Sequence, residues 1–256
     1  MFKTSFKRTS VIVFCFGLLI AYVPEITSDI DKDNSKQKIG FFGPMKSFDT
    51  AQTTFEKLSN GGMRATIYHE AMKGVTVEHL RWWFENIDKM TTFNGVDFNG
   101  IEIPRYHLWH PHDHIKVYWK KKILDENGRV LAGSIMHIKE TFGGNLIDES
   151  VLITRFDDQE YNFQLGMIGI KGGELIHAYE DSPEGVLFMT QLTISNDNPI
   201  FGKLITWLVT KFLVNEEILK AWMQHNIEES GESENFIPTL YNCLLYTSDA
   251  ADEVQC

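Results

Sequence analysis

Cysteine is nearly absent from this chain: the only three are Cys15, Cys243 and Cys256, with none between residues 16 and 242. That interval holds neither a disulfide framework nor a thiolate metal site, so a metal there must rest on histidines and carboxylates. Positive charge is also scarce, with 24 Lys+Arg against 35 Asp+Glu and a formal net charge of −11. A general nucleic-acid binder needs clustered Lys and Arg, and that class is set aside. No G-x-S-x-G, P-loop or G-x-G-x-x-G string occurs, which leaves serine-hydrolase, NTPase and dinucleotide-binding readings without support. Long apolar runs are equally rare. The main one, Val11 to Val23, follows a basic start at Lys3, Lys7 and Arg8. It suits the core of an export signal and is shorter than the roughly 20 residues of a spanning helix. Residues 1–28 are therefore expected to be a signal peptide or an N-terminal anchor, the only expected link to a membrane. The domain of residues 38–242 is then secreted or periplasmic.

The other end has its own peculiarity. Cys243 to Glu253 reads CLLYTSDAADE, a string like the in-frame translation of a transposase sequencing adapter. Residues 243–256 are accordingly expected to lie outside the native fold, and Cys243 and Cys256 to carry no chemistry.

Between these ends, 38–64 shows no sustained period and reads as loops and short pieces. Thr76 to Ile87 predicts a short helix, with Thr76 as cap and Leu80, Trp83, Phe84 and Ile87 at helical spacing. From Ile115 the pattern turns to β. Ile115, Val117 and Trp119 alternate with polar neighbours, Asn127-Gly128 makes a turn, and Val130 to Phe142 returns. Further strands are expected at 150–156, 163–170, 174–180 and 186–195. One long helix is expected from Phe201 to Glu229, its core stripe formed by Leu204, Leu208, Phe212, Leu219 and Trp222. His225 and Glu229 fall at the edge of that stripe, where apolar residues belong. Antiparallel strands closed by one long C-terminal helix make an α+β arrangement of helix-grip type, a curved sheet around a helix with a cavity between them.

Three groups could carry chemistry. Four of the nine histidines lie in the segment Tyr106-His-Leu-Trp-His-Pro-His-Asp-His114, and such density beside an Asp suits Zn²⁺ or a similar ion. His225 and Glu229, one helical turn apart, can chelate a single ion, with Glu228 competing for the carboxylate role. Glu140 shares the inward face of Ile138 on its strand, while His137 and Lys139 share the other. His177 and Tyr179, two apart on one strand, also share a face and could reach a cavity.

HLWHPHDH before a strand, HIKETFGG some thirty residues on, LIHAYED, and HNIEESGESENFIPTLY together resemble the diacetylphloroglucinol hydrolase and phloretin hydrolase family over roughly Arg81 to Tyr241. The resemblance implies a Bet v 1-like helix-grip fold. It also implies one zinc held by two His and two Glu, and hydrolysis of the carbon–carbon bond between an acyl group and a phenolic ring. Mapped residue by residue, the zinc set becomes His110, Glu140, His225 and Glu229, with His114 as the alternative to His110. Tyr106, Asp113 and His177 are the nearest counterparts of the substrate contacts, with Tyr179 beside them. His177 and Tyr106 are expected to steer the proton, and the expected partner is a small aromatic ketone.

Overall fold

The computed structural model describes residues 38–166 and 170–249, with side chains through Leu244. The expected leader (1–28), the end of the strand expected at 163–170, and residues 250–256 with Cys256 lie outside the described residues.

An eight-stranded antiparallel sheet carries the fold. Its strands are β3 (Gln52–Lys57), β4 (Met63–Tyr68), β7 (His114–Lys121), β8 (Ile135–Phe142), β9 (Asn145–Phe156), β10 (Glu160–Leu165), β11 (Gly173–Ser182) and β12 (Gly185–Ile194). The spatial order is β3-β4-β12-β11-β10-β9-β8-β7. Two small ladders, β1 (Ile39–Gly40) with β2 (Gly43–Pro44) and β5 (Met90–Phe93) with β6 (Ile101–Pro104), lie outside it. The helices are α1 (Val77–Asn86), α2 (Arg105–Trp109), α3 (Gly202–Phe212) and α4 (Glu216–Asp249). The α+β helix-grip expectation holds: α4 packs against the sheet through β4 and β8.

Local chemistry accounts for most elements. The Thr76 hydroxyl accepts the His79 N–H, and the His79 ring accepts the Thr76 N–H, so α1 starts with a reciprocal cap. Along β8, Met136 and Phe142 are buried, while His137 and Lys139 turn outward to Asp148 at 2.7 and 2.9 Å.

Several expectations need correction. The stretch 38–64 contains β3 and β4 as well as loops, because Met63, Ala65 and Ile67 alternate into the core. The second hairpin strand begins at Ile135 rather than Val130. Val130 makes only an isolated bridge to Leu124, and the Ser134 hydroxyl bends the chain by bonding the Leu131 carbonyl and the Ile123 N–H. The expected helix of 201–229 is two helices. Asn215 breaks it by accepting the Ile218 N–H at 2.9 Å, and α4 then continues through Gly231 and Pro238. Leu204 and Phe212, expected in the core, are exposed. Cys243 and Leu244, expected outside the fold, continue α4 and pack against the core.

The interior divides in two. One cluster is aromatic, built on Trp83, Phe84, Trp109, Tyr161, Phe188 and Phe236. The other is largely aliphatic, with Ile67, Leu192, Leu219, Met223 and Ile227. Among the described residues no helix is long and apolar enough to cross a membrane.

Candidate metal centre

The site is built where three elements meet. After α2, the His110 ring Nδ1 accepts the Asp113 N–H at 3.0 Å and the His110 carbonyl accepts the His114 N–H at 3.1 Å. This tight turn delivers His114 at the first position of β7, directly opposite Glu140 on β8. From the other side α4 presents His225 and Glu229, one turn apart and both buried.

Four donor atoms converge. His114 Nε2 lies 3.2 Å from Glu229 Oε2 and 3.7 Å from Glu140 Oε2. His225 Nε2 lies 3.8 Å from each of the same two oxygens. Donors about 2.0–2.2 Å from one tetrahedral ion stand roughly 3.3–3.6 Å apart; one donor atom each of His114, Glu140 and His225 lies within 4.8 Å of the others, as does one each of His110, Asp113 and His225.

Hydrogen bonding leaves the two Nε2 atoms free for that role. His114 Nδ1 bonds the Tyr106 carbonyl at 2.8 Å, which fixes the proton on Nδ1 and turns the Nε2 lone pair to the cluster. His225 Nδ1 bonds Asp113 Oδ2 at 3.0 Å with the same effect. Both Nε2 atoms are buried and have no hydrogen-bond partner, an arrangement that costs stability unless something fills it. A carboxylate or a carbonyl behind each imidazole is the usual support of a histidine metal ligand.

The histidine mapped first is bonded differently. His110 spends Nδ1 on the Asp113 N–H, so its Nε2 carries the proton and donates to Glu228 Oε2 at 3.1 Å. His114, the alternative, instead keeps its Nε2 beside Glu229 and Glu140, at 3.2 and 3.7 Å. The rivalry on α4 is resolved the same way. Glu228 faces His110 and Lys38, at 3.1 and 3.2 Å, while Glu229 faces the cluster and is steadied by Asn226 Nδ2 at 2.7 Å.

The electrostatics match a site short of positive charge. Burial lowers the pKa of His225, but the Asp113 hydrogen bond and the charges of Glu229 and Glu140 outweigh it and push it up to about 9. His114 is driven well below its ordinary value by burial and by the neighbouring His225. Burial raises Glu229. Asp113 is held well below the usual carboxylate range: burial opposes this, but the hydrogen bonds from His225 and Lys38 prevail.

The other expected site residues separate into two groups. Tyr106 belongs to the site, its ring stacked on His114 at 3.6 Å and its hydroxyl bonded to Glu140 Oε2. Burial and the Glu140 and Glu229 charges push its pKa well up. Asp113 supports His225 from behind rather than facing a substrate. His177 is not brought to the cluster. It lies between the Phe84 and Phe188 rings, at 5.8 and 5.3 Å, and bonds the Thr190 hydroxyl at 3.1 Å. Tyr179 spends its hydroxyl on the Asp157 carbonyl at 2.6 Å, so it is a structural contact.

One contributor was invisible in the sequence. Lys38 Nζ bonds Asp113 Oδ2 at 2.8 Å and so ties the start of the domain to the site. No spacing rule connects residues 75 apart, and no local signal could have found it.

No protein-family model matches the chain, and no curated protein matches it either. Solved structures do align with it. Ara h 8.0201 is 12% identical with a TM-score of 0.38, covering 74% of this chain and 99% of its own. Protein Ms6760 from Mycobacterium smegmatis is 12% identical with a TM-score of 0.39, covering 78% and 99%. A START superfamily protein from the same organism is 14% identical with a TM-score of 0.32, covering 63% and 94%. At these values no ligand or activity is carried across, and function has to be argued from the site itself.

Proposed function

We propose that the chain takes a small aromatic ketone beside one divalent ion, zinc by its donor set, and hydrolyses the carbon–carbon bond between acyl group and phenolic ring. The observation that carries this reading is the pair of buried, unpartnered Nε2 atoms of His114 and His225 facing Glu140 and Glu229. Two imidazoles and two carboxylates form a nitrogen–oxygen set suited to zinc. When bound, such an ion polarises an acyl oxygen and lowers the pKa of water towards about 7.

The chain's own residues supply the rest. In the net reaction the acyl carbon gains OH, the ring carbon gains H, and the bond between them breaks, at the cost of one water. The ring carbon must be protonated to leave, and hydroxyls ortho and para to the acyl group permit the keto tautomer. In this reading Tyr106 gives that proton. It stays protonated at neutral pH because burial and nearby carboxylate charge disfavour its anion. Glu140, accepting the Tyr106 hydroxyl, orients it. Asp113 and Lys38 hold His225, and the Tyr106 carbonyl holds His114.

Metal content of the purified full chain, measured with release of a short carboxylic acid from an acylated polyhydroxybenzene, tests this. Expected are one ion per chain and turnover abolished by a chelator. Turnover of simple esters at equal rate and insensitive to chelator would overturn the carbon–carbon assignment. A second reading, a non-catalytic pocket for a small aromatic or lipid ligand, is favoured by the stacked aromatic interior around Phe84, His177 and Phe188. Ligand binding with no metal and no turnover would select it.

A further inference from the structure

Helix α3 is inside out. Its inner face carries Gly202 and Thr206, both buried, while Leu204, Trp207 and Phe212 are 54%, 48% and 59% exposed. Ile200, Phe201 and Leu213 beside them are exposed as well. On a helical projection Phe201, Leu204, Trp207, Leu208 and Phe212 share a sector of about 140°, an ordinary amphipathic helix turned the wrong way for a core.

The orientation is locked. A Cβ on Gly202 would stand 2.5 Å from the Asn196 carbonyl oxygen, so only glycine permits this approach. The Thr206 hydroxyl accepts the Asn196 N–H at 2.9 Å. Rotating α3 to bury Leu204 would break both contacts. An apolar face held outward in this way marks an interaction surface.

Charge selects the occupant. The segment 199–214 contains Lys203 and Lys211 and no carboxylate, in a chain of formal net charge −11. Lys211 Nζ lies over the Trp207 and Phe212 rings at 4.9 and 5.6 Å, in the middle of the apolar sector, its stem along the face and its ammonium at the rim. A second copy of the same face would oppose lysine to lysine with no counter-charge, whereas anionic headgroups supply one. An indole, apolar side chains and lysines on one helix match the boundary between headgroups and acyl chains. The helix, Gly202–Phe212, is too short to span a bilayer.

We infer that α3 docks the domain flat on an anionic phospholipid surface, with Leu204, Trp207 and Phe212 inserted at the acyl boundary and Lys203 and Lys211 among the headgroups.

The test uses the full chain with vesicles of phosphatidylcholine containing about 30% phosphatidylglycerol, a composition in which basic residues gain from the surface potential. Brominated acyl chains should quench the parent more than the Trp207→Phe variant, and that difference isolates Trp207 from other routes of binding. Leu204→Gln combined with Phe212→Gln should abolish the Trp207 quenching. Lys203→Gln and Lys211→Gln should each weaken partition by about fivefold at low salt. Quenching equal in the parent and Trp207→Phe would overturn the inference, since the vesicles would then be held elsewhere. A dimer dissolved by the Leu204 and Phe212 changes, with no Trp207 quenching, would equally overturn it and make the face a contact between copies.

Discussion

The choice between His110 and His114 rests on one proton. A neutral imidazole has one lone pair, and the Asp113 N–H takes that of His110. His114→Ala should therefore abolish metal binding outright. His110→Ala should keep one ion per chain and weaken its affinity by about 10–100-fold, as loss of a supporting partner does. Competition with a chelator of known affinity reads both, and the reverse order of severity would return His110 to the donor set. From the sequence the two were indistinguishable, because the motif is dense enough to slip by four residues and only hydrogen-bond partners separate them. His225, Glu229 and Glu140 were legible, since helical and strand periodicity aims each inward. His177 misled for a related reason: period two gives the face of a strand but not what covers it. It is kept neutral, at about 3, by burial and by the neighbouring His69 charge. The unfolded chain takes up that proton at about 6.5, so stability is lost as pH falls from 6.5 towards 3. In His177→Phe that acid slope should flatten in thermal melts while turnover is unchanged. A lost turnover with metal retained would restore its catalytic role.

Among the elements, the hairpin joining β8 to β9 meets α4 at a single tight point. Gly143 has φ +57°, and a Cβ there would lie 2.5 Å from Ala221 Cβ. Gly143→Ala should push the hairpin from the helix and carry Glu140, three residues back, away from His225. The expected result is a loss of stability of about 1–3 kcal/mol together with weaker metal binding. An unchanged affinity would show that Glu140 is positioned from β7 alone. The succession of strands from β7 to β12 was readable from alternation and Gly turns, though β8 starts later and β10 earlier than expected, and α1 was readable from its cap. The break between α3 and α4 was not. No Pro or Gly lies between Lys203 and Val214, and the apolar stripe continues past the break on a helix that faces solvent. Periodicity reports that a face exists, and tertiary contacts at Asn196 decide where it points.

Across the whole molecule, the first described residues run along α4. Lys38 reaches Glu228, Gly40 backs onto the Glu232 carboxyl, Phe42 stacks on Phe236 at 5.7 Å, and Lys46 pairs with Glu234 at 3.3 Å. Lys38→Met should lower metal affinity by about tenfold through Asp113, and Lys38→Arg should recover part of it. Equal loss in both would mean that the segment, not its charge, matters. Glu232 beneath the same segment is raised to about 7, chiefly by burial. The folded state then binds a proton that the unfolded state releases near 4.5, so stability falls as pH rises from about 4.5 through 7. Glu232→Gln should remove that alkaline loss and raise the melting temperature at pH 8 by a few degrees, while an unaltered pH profile would show the carboxyl already solvated.

Because α4 completes both the core and the donor set, the molecule has an order of assembly. A chain emerging residue by residue can form the hairpins from β7 to β12 early, but His225 and Glu229 arrive only after the sheet is made. Until then the sheet's concave aromatic face lies open to solvent and half the metal donors are missing. Such distant pairings are slow to form and expose surface that aggregates. On the proposed function, an ion would be taken up only after synthesis, and the compartment where the chain finishes folding, rather than the one where translation begins, would set which metal the site receives.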